Sequence, residues 1–511
     1  MLKNVLWGAS TALSFAPFNI FPIFLIAFAR LFAQISEIEK KKRLLSETFC
    51  FFFGMHAACL YWIVCPLSLD PERHWVLIPF AVLLLPAWPS ILLLAPTLLL
   101  RAKILSRSRR RMRGRKIPLF RSPCAEPFIF ALMFSWTFWF YGNYLPGFPW
   151  VLPGYVWGCH EIFLQTLSVW GIYGLSFATL LIAGFFGLFF RCCRSGDFIT
   201  AKNAAFWAIF IFGSLAAFGR YRLENNPTEF TDKKIRIVQA DISQQDKQNA
   251  DLSWVNLKEH MDRSEHKTAL NFVVWPEASI PFLYRKDSAR LHEYLQSFLK
   301  EGEHLLAGAV RKDLASNKVY NSVVVINHRG ENVAVYDKSR LLPFGEYVPF
   351  RKYLPFQSIA SDIGDFDVGS GADVFDIGGM KIIFAICYEV AFRNEFIPTD
   401  AGFMSRSRDA DVIVNVTNDG WFGFTTEPFQ HLQISRAAAT ESGLPLVRAV
   451  NCGISAVFDP CGREIARIDV GCSGIIDANV PRKIRSFFGE WGQSPVLLLI
   501  CQLLCLFSIF M

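Results

Sequence analysis

Apolar stretches long enough to span a bilayer crowd residues 1–220 and return only at 493–511. A span takes roughly 20 apolar residues, because its backbone polar groups must all be satisfied within the segment. Eight candidates fit: 5–16, 18–36, 47–66, 75–100, 128–145, 162–190, 204–220 and 493–511. The first is short and is cut by Pro17. It runs into the second without a small-x-small cleavage site, so it reads as retained rather than as a cleaved signal peptide. Residues between them read differently, as an ordinary globular domain. The expected architecture is a membrane α-helical bundle of about eight helices, from residues 1–220 and 491–511, carrying an α/β domain at residues 221–490.

Charge orients that bundle. Lys40–Arg43 holds four basic residues, Arg101–Lys116 holds nine and no acid, and Arg191–Lys202 holds three against Asp197. With eight spans, all three loops fall on one side together with both termini. Positive loops face the cytoplasm, so the globular domain is expected on the other side. The whole chain carries only +8, so the excess sits in these loops. The tract Arg107–Arg115 has the composition of a nucleic-acid patch, but its place between two spans makes it a topology signal that touches anionic lipid heads. No nucleic-acid partner is expected.

The 13 cysteines form no CxxC-type metal pair. Four fall in the globular domain: Cys387, Cys452, Cys461 and Cys472. A hairpin would set Cys461 opposite Cys472, which leaves a bridge and two free thiols both open in an oxidising compartment.

Within the domain, Lys234–Asp241, Asn271–Trp275, Leu305–Val310, Ser322–Ile326, Val333–Tyr336, Lys381–Ile386, Asp411–Val416 and Leu444–Val450 read as strands. Leu291–Lys300 and Glu427–Thr440 read as helices, and Ala456–Ile465 as a hairpin. Several strands are continuous β-branched runs of the kind covered on both faces. Alternation of strands and helices supports a layered α/β sandwich.

Three ionisable residues end or follow such strands. Glu277 follows Val273-Val-Trp-Pro, where partial desolvation would raise a carboxyl toward the range of a useful base; a carboxylate capping the next turn is the commoner arrangement. Lys338 follows Val333–Tyr336 and would stabilise a developing oxyanion, or pair with Asp337 or Glu331 at the surface. Cys387 ends Ile383-Phe-Ala-Ile, where a following helix would lower its pKa, although most free cysteines are small buried hydrophobes. Base, oxyanion stabiliser and nucleophile together make a complete set for covalent acyl chemistry.

The trio, in this order and with these surroundings, resembles the nitrilase (carbon–nitrogen hydrolase) superfamily, whose Glu–Lys–Cys triad works in a four-layer αββα sandwich. With spans on both sides of the domain, the chain is similar to the membrane-embedded phospholipid:apolipoprotein acyltransferases of that superfamily. The resemblance covers nearly the whole chain. Leu341–Pro349 resembles the loop carrying a second acidic residue, here Glu346. Asn418–Gly423, with Trp421, Phe422 and Gly423, and Gln430–Gln433 with Arg436 resemble the border of the acyl pocket. Gly147–Trp150 resembles an outward loop near the membrane surface, with Trp150 as a substrate contact; an interfacial aromatic belt is the other reading of Phe148 and Trp150. Glu346, Tyr388 and Glu389 are implied as supporting residues. Two positions depart from the pattern: Gln248 stands where a tryptophan often follows Q-x-x-K (here Gln244–Lys247), and Asn-Asn-Gly reads Asn451-Cys-Gly453.

The resemblance implies transfer of an acyl chain from a membrane phospholipid, through a Cys387 thioester, to the α-amine of a diacylglyceryl-cysteine on an apolipoprotein. No motif implies a metal or organic cofactor, and a monomer is expected because the bundle and the domain can bury their own apolar faces. Topology and the resemblance together imply a place in the bacterial inner membrane with the catalytic domain in the periplasm. A membrane-anchored nitrilase-type amidase would share the triad, but one span suffices to anchor a hydrolase. The intact triad argues against a membrane scaffold or transporter with a degenerate outer domain, and so does the lack of charged residues in the middle of most spans.

Overall fold

The computed structural model describes residues 1–102, 124–144, 147–285, 289–353, 358–359, 364–371, 373–392, 409–492 and 502. The basic loop beyond Ala102 and the closing apolar segment, apart from Gln502, lie outside them. The chain forms two compact units: Met1–Val64 with Glu72–Asn225, and Cys65–Pro71 with Asn226–Gly492.

The first unit is helical. Its principal helices are α1 (Leu2–Ser10), α2 (Phe21–Glu37), α3 (Lys41–Cys59), α4 (Trp75–Ala102), α5 (Ala125–Asn143), α6 (Leu167–Ser195) and α7 (Phe198–Asn225). Three of them, α4, α6 and α7, are long and apolar enough to cross a membrane; α3 with Tyr61–Ser68 makes a fourth if that broken pair is one span. The expected count of eight is not reached by length and composition among the described residues: α1 (9 residues) and α2 (17 residues) are short, α5 does not pass, and the last candidate lies almost wholly outside them. Where lipid replaces water, helices associate through close packing of small residues. Here α1 and α3 meet at Gly8 and Gly54: a Cβ on Gly8 would overlap the Phe51 carbonyl, and one on Gly54 the Val5 carbonyl. Gln502 joins this unit by accepting from Trp136 Nε1 at 2.9 Å.

The second unit is built on strands β1 (Phe230–Gln239), β2 (Phe272–Val274), β3 (Ile280–Tyr284), β4 (His304–Lys312), β5 (Val319–Asn327), β6 (Asn332–Asp337), β7 (Val374–Ile377), β8 (Met380–Ile386), β9 (Val412–Asn418), β10 (Leu446–Asn451), β11 (Ser455–Phe458), β12 (Glu464–Ile468) and β13 (Gly474–Pro481). One sheet runs β13-β1-β2-β4-β5-β6, with β3 beside β4; the other runs β12-β11-β10-β9-β8-β7. The inner strands of each are parallel: β1, β2 and β4 in the first, β8, β9 and β10 in the second.

Side chains alternate across a strand, and the apolar runs divide accordingly. Phe272, Val274, Leu306, Val323 and Val325 pack with Ile382, Phe384, Ile386, Val412, Val414 and Val416 between the two sheets. Their neighbours Val273, Trp275, Leu305, Ala307, Val324 and Ile326 pack outward with Leu257 of α8 (Ser253–Ser264) and Leu291 and Leu295 of α9 (Ala289–Gln296). Helix α10 (Glu427–Ser442) lies along β10 on the second sheet and is buried over most of its length. The expected αββα sandwich is present. Strands β3, β7 and β13 were not expected, and Cys461 and Cys472 are not joined in a disulfide, the first being buried and the second exposed.

Candidate active site

Parallel strands deliver their carboxyl ends to one edge, which is where α/β sheets collect ligands. Glu277 follows β2, Lys338 follows β6, Cys387 follows β8, and Asn418 and Asn451 end β9 and β10. The close approach of Glu277 to the first sheet depends on Gly308 in β4. A Cβ there would lie 2.6 Å from both Glu277 Cα and Ala278 N and would overlap the Pro276 carbonyl. We expect Gly308→Ala to cost about 1–3 kcal/mol through overpacking and to lower activity beyond that loss by displacing Glu277. Thermal melting alongside an activity assay checks this; an active variant of unchanged melting temperature would refute it.

The charged groups are brought together in a buried cluster. Lys338 Nζ lies 2.8 Å from Glu346 Oε1 and 3.6 Å from Glu277 Oε1. Asn321 bridges the two acids, its Nδ2 donating to Glu277 Oε1 at 2.7 Å and to Glu346 Oε1 at 2.9 Å. The backbone N–H of Asn418 donates to Glu277 Oε2 at 3.0 Å, and that of Leu342 to Glu346 Oε2 at 2.8 Å. Burial alone would lower the Lys338 pKa, but Glu346 and Glu277 outweigh it and hold the ammonium well above its ordinary range.

Cys387 sits at φ +55°, in the left-handed region, a conformation that costs a non-glycine residue about 1–3 kcal/mol and clusters at functional sites. Ala278, Phe344 and Cys452, each next to or near a site residue, share it. The segment after Cys387 is a five-residue 3₁₀ turn, Cys387–Ala391, not the longer helix expected. The thiol is correspondingly not activated at rest. Burial, then Glu277, push its pKa well above the usual thiol value, against the pull of Lys338. The side chain is nonetheless partly exposed, so it is desolvated by its neighbours while still open at one side.

Glu389 is a fastener. Its carboxylate accepts from the backbone N–H groups of Ser339 (2.8 Å), Arg340 (2.9 Å) and Ile386 (2.8 Å) and from the Tyr336 hydroxyl (3.0 Å). It thereby ties the strand end bearing Cys387 to the loop bearing Lys338. Tyr388 donates to the Leu341 carbonyl at 2.8 Å, and its ring centroid lies 5.5 Å from Lys338 Nζ.

Several partners escaped the sequence. Asn321 fell just outside the expected strand Ser322–Ile326 and lies inside β5. Lys247 donates to the Glu277 carbonyl at 2.9 Å, and Gln244 accepts from Asn418 Nδ2 at 2.8 Å, so the Q-x-x-K stretch anchors the acid's backbone; burial lowers Lys247 to about 8. Asn451 donates to Asn418 Oδ1 at 3.0 Å. Trp421 and Phe422 are half-buried beside this region, Gly423 is exposed at φ +57°, and Arg436 donates to the Gly462 carbonyl. Trp150 lies in the first unit, buried, with its ring stacked 5.3 Å from Phe148 and tilted against Trp62 at 5.5 Å. Asp419, Glu427 and His431 bring ligand-type atoms within 4.8 Å of one another, but the Arg448 guanidinium already sits 2.8 Å from Asp419 and supplies the cluster's positive charge.

The family model described as carbon-nitrogen hydrolase matches residues 234–487, and that described as apolipoprotein N-acyltransferase N-terminal domain matches residues 7–185. An apolipoprotein N-acyltransferase from Rickettsia bellii (strain RML369-C) is 32% identical over 507 residues, covering 98% of this chain and 95% of its own. The chain belongs to the apolipoprotein N-acyltransferase family. A second apolipoprotein N-acyltransferase, from Bradyrhizobium diazoefficiens, is 32% identical over 528 residues, covering 96% of this chain and 91% of its own. Among solved structures, an amidase from Nesterenkonia sp. is 18% identical with a TM-score of 0.37, covering 53% of this chain and 97% of that one; a superposition at that level carries no residue-level comparison. Membership in the apolipoprotein N-acyltransferase family gives the helical unit and the sandwich a common purpose, since one family model matches each.

Proposed function

We propose that this chain N-acylates apolipoproteins by a two-step transfer with Glu277, Lys338 and Cys387 as base, oxyanion stabiliser and nucleophile. The observation that carries this reading is the convergence of the three at the strand ends, with Lys338 held between Glu277 and Glu346 and the Cys387 thiol feeling both the carboxylate and the ammonium. Because the resting thiol is held protonated, Glu277 takes its proton as the sulfur attacks the ester carbonyl of a membrane phospholipid. Lys338 and the backbone N–H of Tyr388 stabilise the oxyanion. The proton passes to the leaving alkoxide, lysophospholipid departs, and the acyl chain stays on Cys387 as a thioester. The α-amine of a diacylglyceryl-cysteine then attacks; Glu277 takes its proton and returns it to the departing sulfur. Glu346 and Asn321 keep Lys338 and Glu277 in register, and Trp421, Phe422, Gly423 and Trp150 contact the lipid chains.

In the same reading, residues 1–220 and 491–511 form a transmembrane bundle, both termini face the cytoplasm, and the catalytic domain at 221–490 works in the periplasm as part of a monomer. The basic loops support that orientation. Protein purified in detergent and incubated with phosphatidylethanolamine should gain the mass of one acyl chain. Hydroxylamine should remove the adduct, and a diacylglyceryl lipopeptide should discharge it. An adduct that water discharges as fast as the lipopeptide would favour the amidase reading, and no adduct under any condition would refute the thioester route.

A further inference from the structure

Behind the nucleophile lies a second buried network that the reaction as written does not use. His431 and Asp419 are fully buried, as are Glu427 and Arg448. His431 Nε2 lies 3.3 Å from the carbonyl oxygen of Cys387. A carbonyl only accepts, so that nitrogen carries a proton. The other ring nitrogen, Nδ1, lies 3.2 Å from Asp419 Oδ1 and 3.3 Å from Glu427 Oε1. Burial raises the Asp419 pKa, but Arg448 and His431 outweigh it and hold the carboxyl below its usual range. It is ionised, so Nδ1 carries a proton as well, and His431 is an imidazolium. Burial and Arg448 oppose that charge; the two acids prevail and raise the His431 pKa.

A second donor reaches the same oxygen. Asn415 Nδ2 donates to the Cys387 carbonyl at 3.2 Å, while its Oδ1 accepts from Arg448 Nη1 at 2.7 Å. Two cations therefore bear on one peptide, His431 directly and Arg448 through Asn415. That peptide joins the Cys387 carbonyl to the Tyr388 N–H, which stands in the first turn of a 3₁₀ helix, where an N–H has no intrahelical acceptor. Hydrogen bonds in series polarise one another. Drawing electron density toward the carbonyl makes the N–H a stronger donor, and the same bonds pin Cys387 in its left-handed conformation.

We propose that His431 is a positioning residue that holds and polarises the Cys387–Tyr388 peptide, strengthening the Tyr388 N–H as the oxyanion donor. The inference rests on the acyl-transfer reading above. It ties rate to the protonation of the network. The groups facing His431 are Asp419, Glu427, Arg448 and the Cys387 carbonyl. Glu427, raised by burial and then by Asp419, titrates at about 7; its values and those of His431 belong to the pair. A raised histidine pKa means the charged form is present at low pH and is lost as pH rises through that value. Thioester formation should therefore fall as pH rises through the raised histidine value. Lys338, held well above its ordinary range, cannot produce such a limb there.

The test is the single-turnover rate of thioester formation with phosphatidylethanolamine micelles, on the full-length chain, from pH 5 to 9. His431→Gln keeps a neutral donor but loses the charge. It should react about tenfold more slowly at pH 6, because weakening an oxyanion donor costs less than the 10²–10³ of deleting one, and its alkaline limb should vanish with KM unchanged. Glu427→Gln removes one acid from the imidazolium, so its limb should move to lower pH by about one unit; it keeps the question decidable if His431→Gln fails to fold. Wild-type rate and pH profile in both variants would overturn the inference while leaving acyl transfer intact. A wild-type chain that forms no thioester would overturn acyl transfer, and this inference with it.

Discussion

Cys387→Ala is expected to abolish acyl transfer, lowering turnover by on the order of 10⁴-fold or more, since no other group can replace a covalent nucleophile. No acyl adduct should appear in the intact mass, while the melting temperature should change little: the thiol is a small, partly exposed group. Cys387→Ser should leave only trace activity, because a hydroxyl is far less nucleophilic near neutral pH. A bystander thiol is a poor substitute. The Cys452 thiol already donates to the Ile242 carbonyl at 2.8 Å, and burial and then Asp241 push it up to about 12. A hydroxylamine-sensitive adduct of normal yield in Cys387→Ala would sink the assignment of the nucleophile.

Lys338→Met should fail in two separable ways. Chemically, it removes an oxyanion-stabilising cation, a loss of about 10²–10³ in rate. Structurally, it leaves Glu277 and Glu346, both bonded to the same Asn321 Nδ2, as buried acids without their cation. Removing one partner of a buried ion pair costs about 3–5 kcal/mol. A melting temperature, measured beside the single-turnover rate, separates the two effects. An unchanged rate would remove Lys338 from the chemistry, and an unchanged melting temperature would deny that it neutralises the pair.

Local pattern reached far into this molecule. The β-branched runs that form β8 and β9 are covered on both faces, so they read as strands without knowledge of their neighbours. Glu277, Lys338 and Cys387 stood out because each sits just past such a run. The three strands that went unread have no such signal. The register of β13 is fixed by pairing with β1 some 240 residues earlier, and β3 and β7 are short, partly exposed edge elements. The activation expected for Cys387 also failed, because it assumed a helix where the chain makes one short turn and because burial, then Glu277, raise the thiol.

The sequence by itself determined the two-part organisation, the identity of the layers and which ionisable residues stand at strand ends, since hydrophobic period and charge are properties of neighbouring residues. Tertiary structure alone decided what those residues do to one another. Lys338 is charged because two acids from other segments surround it, Asn321 matters because its strand passes between them, and His431 bears on Cys387 because α10 crosses the end of β8. Each is an electrostatic interaction across a few ångströms in a desolvated interior, between residues 8 to 61 positions apart in the chain, and no local pattern encodes that distance.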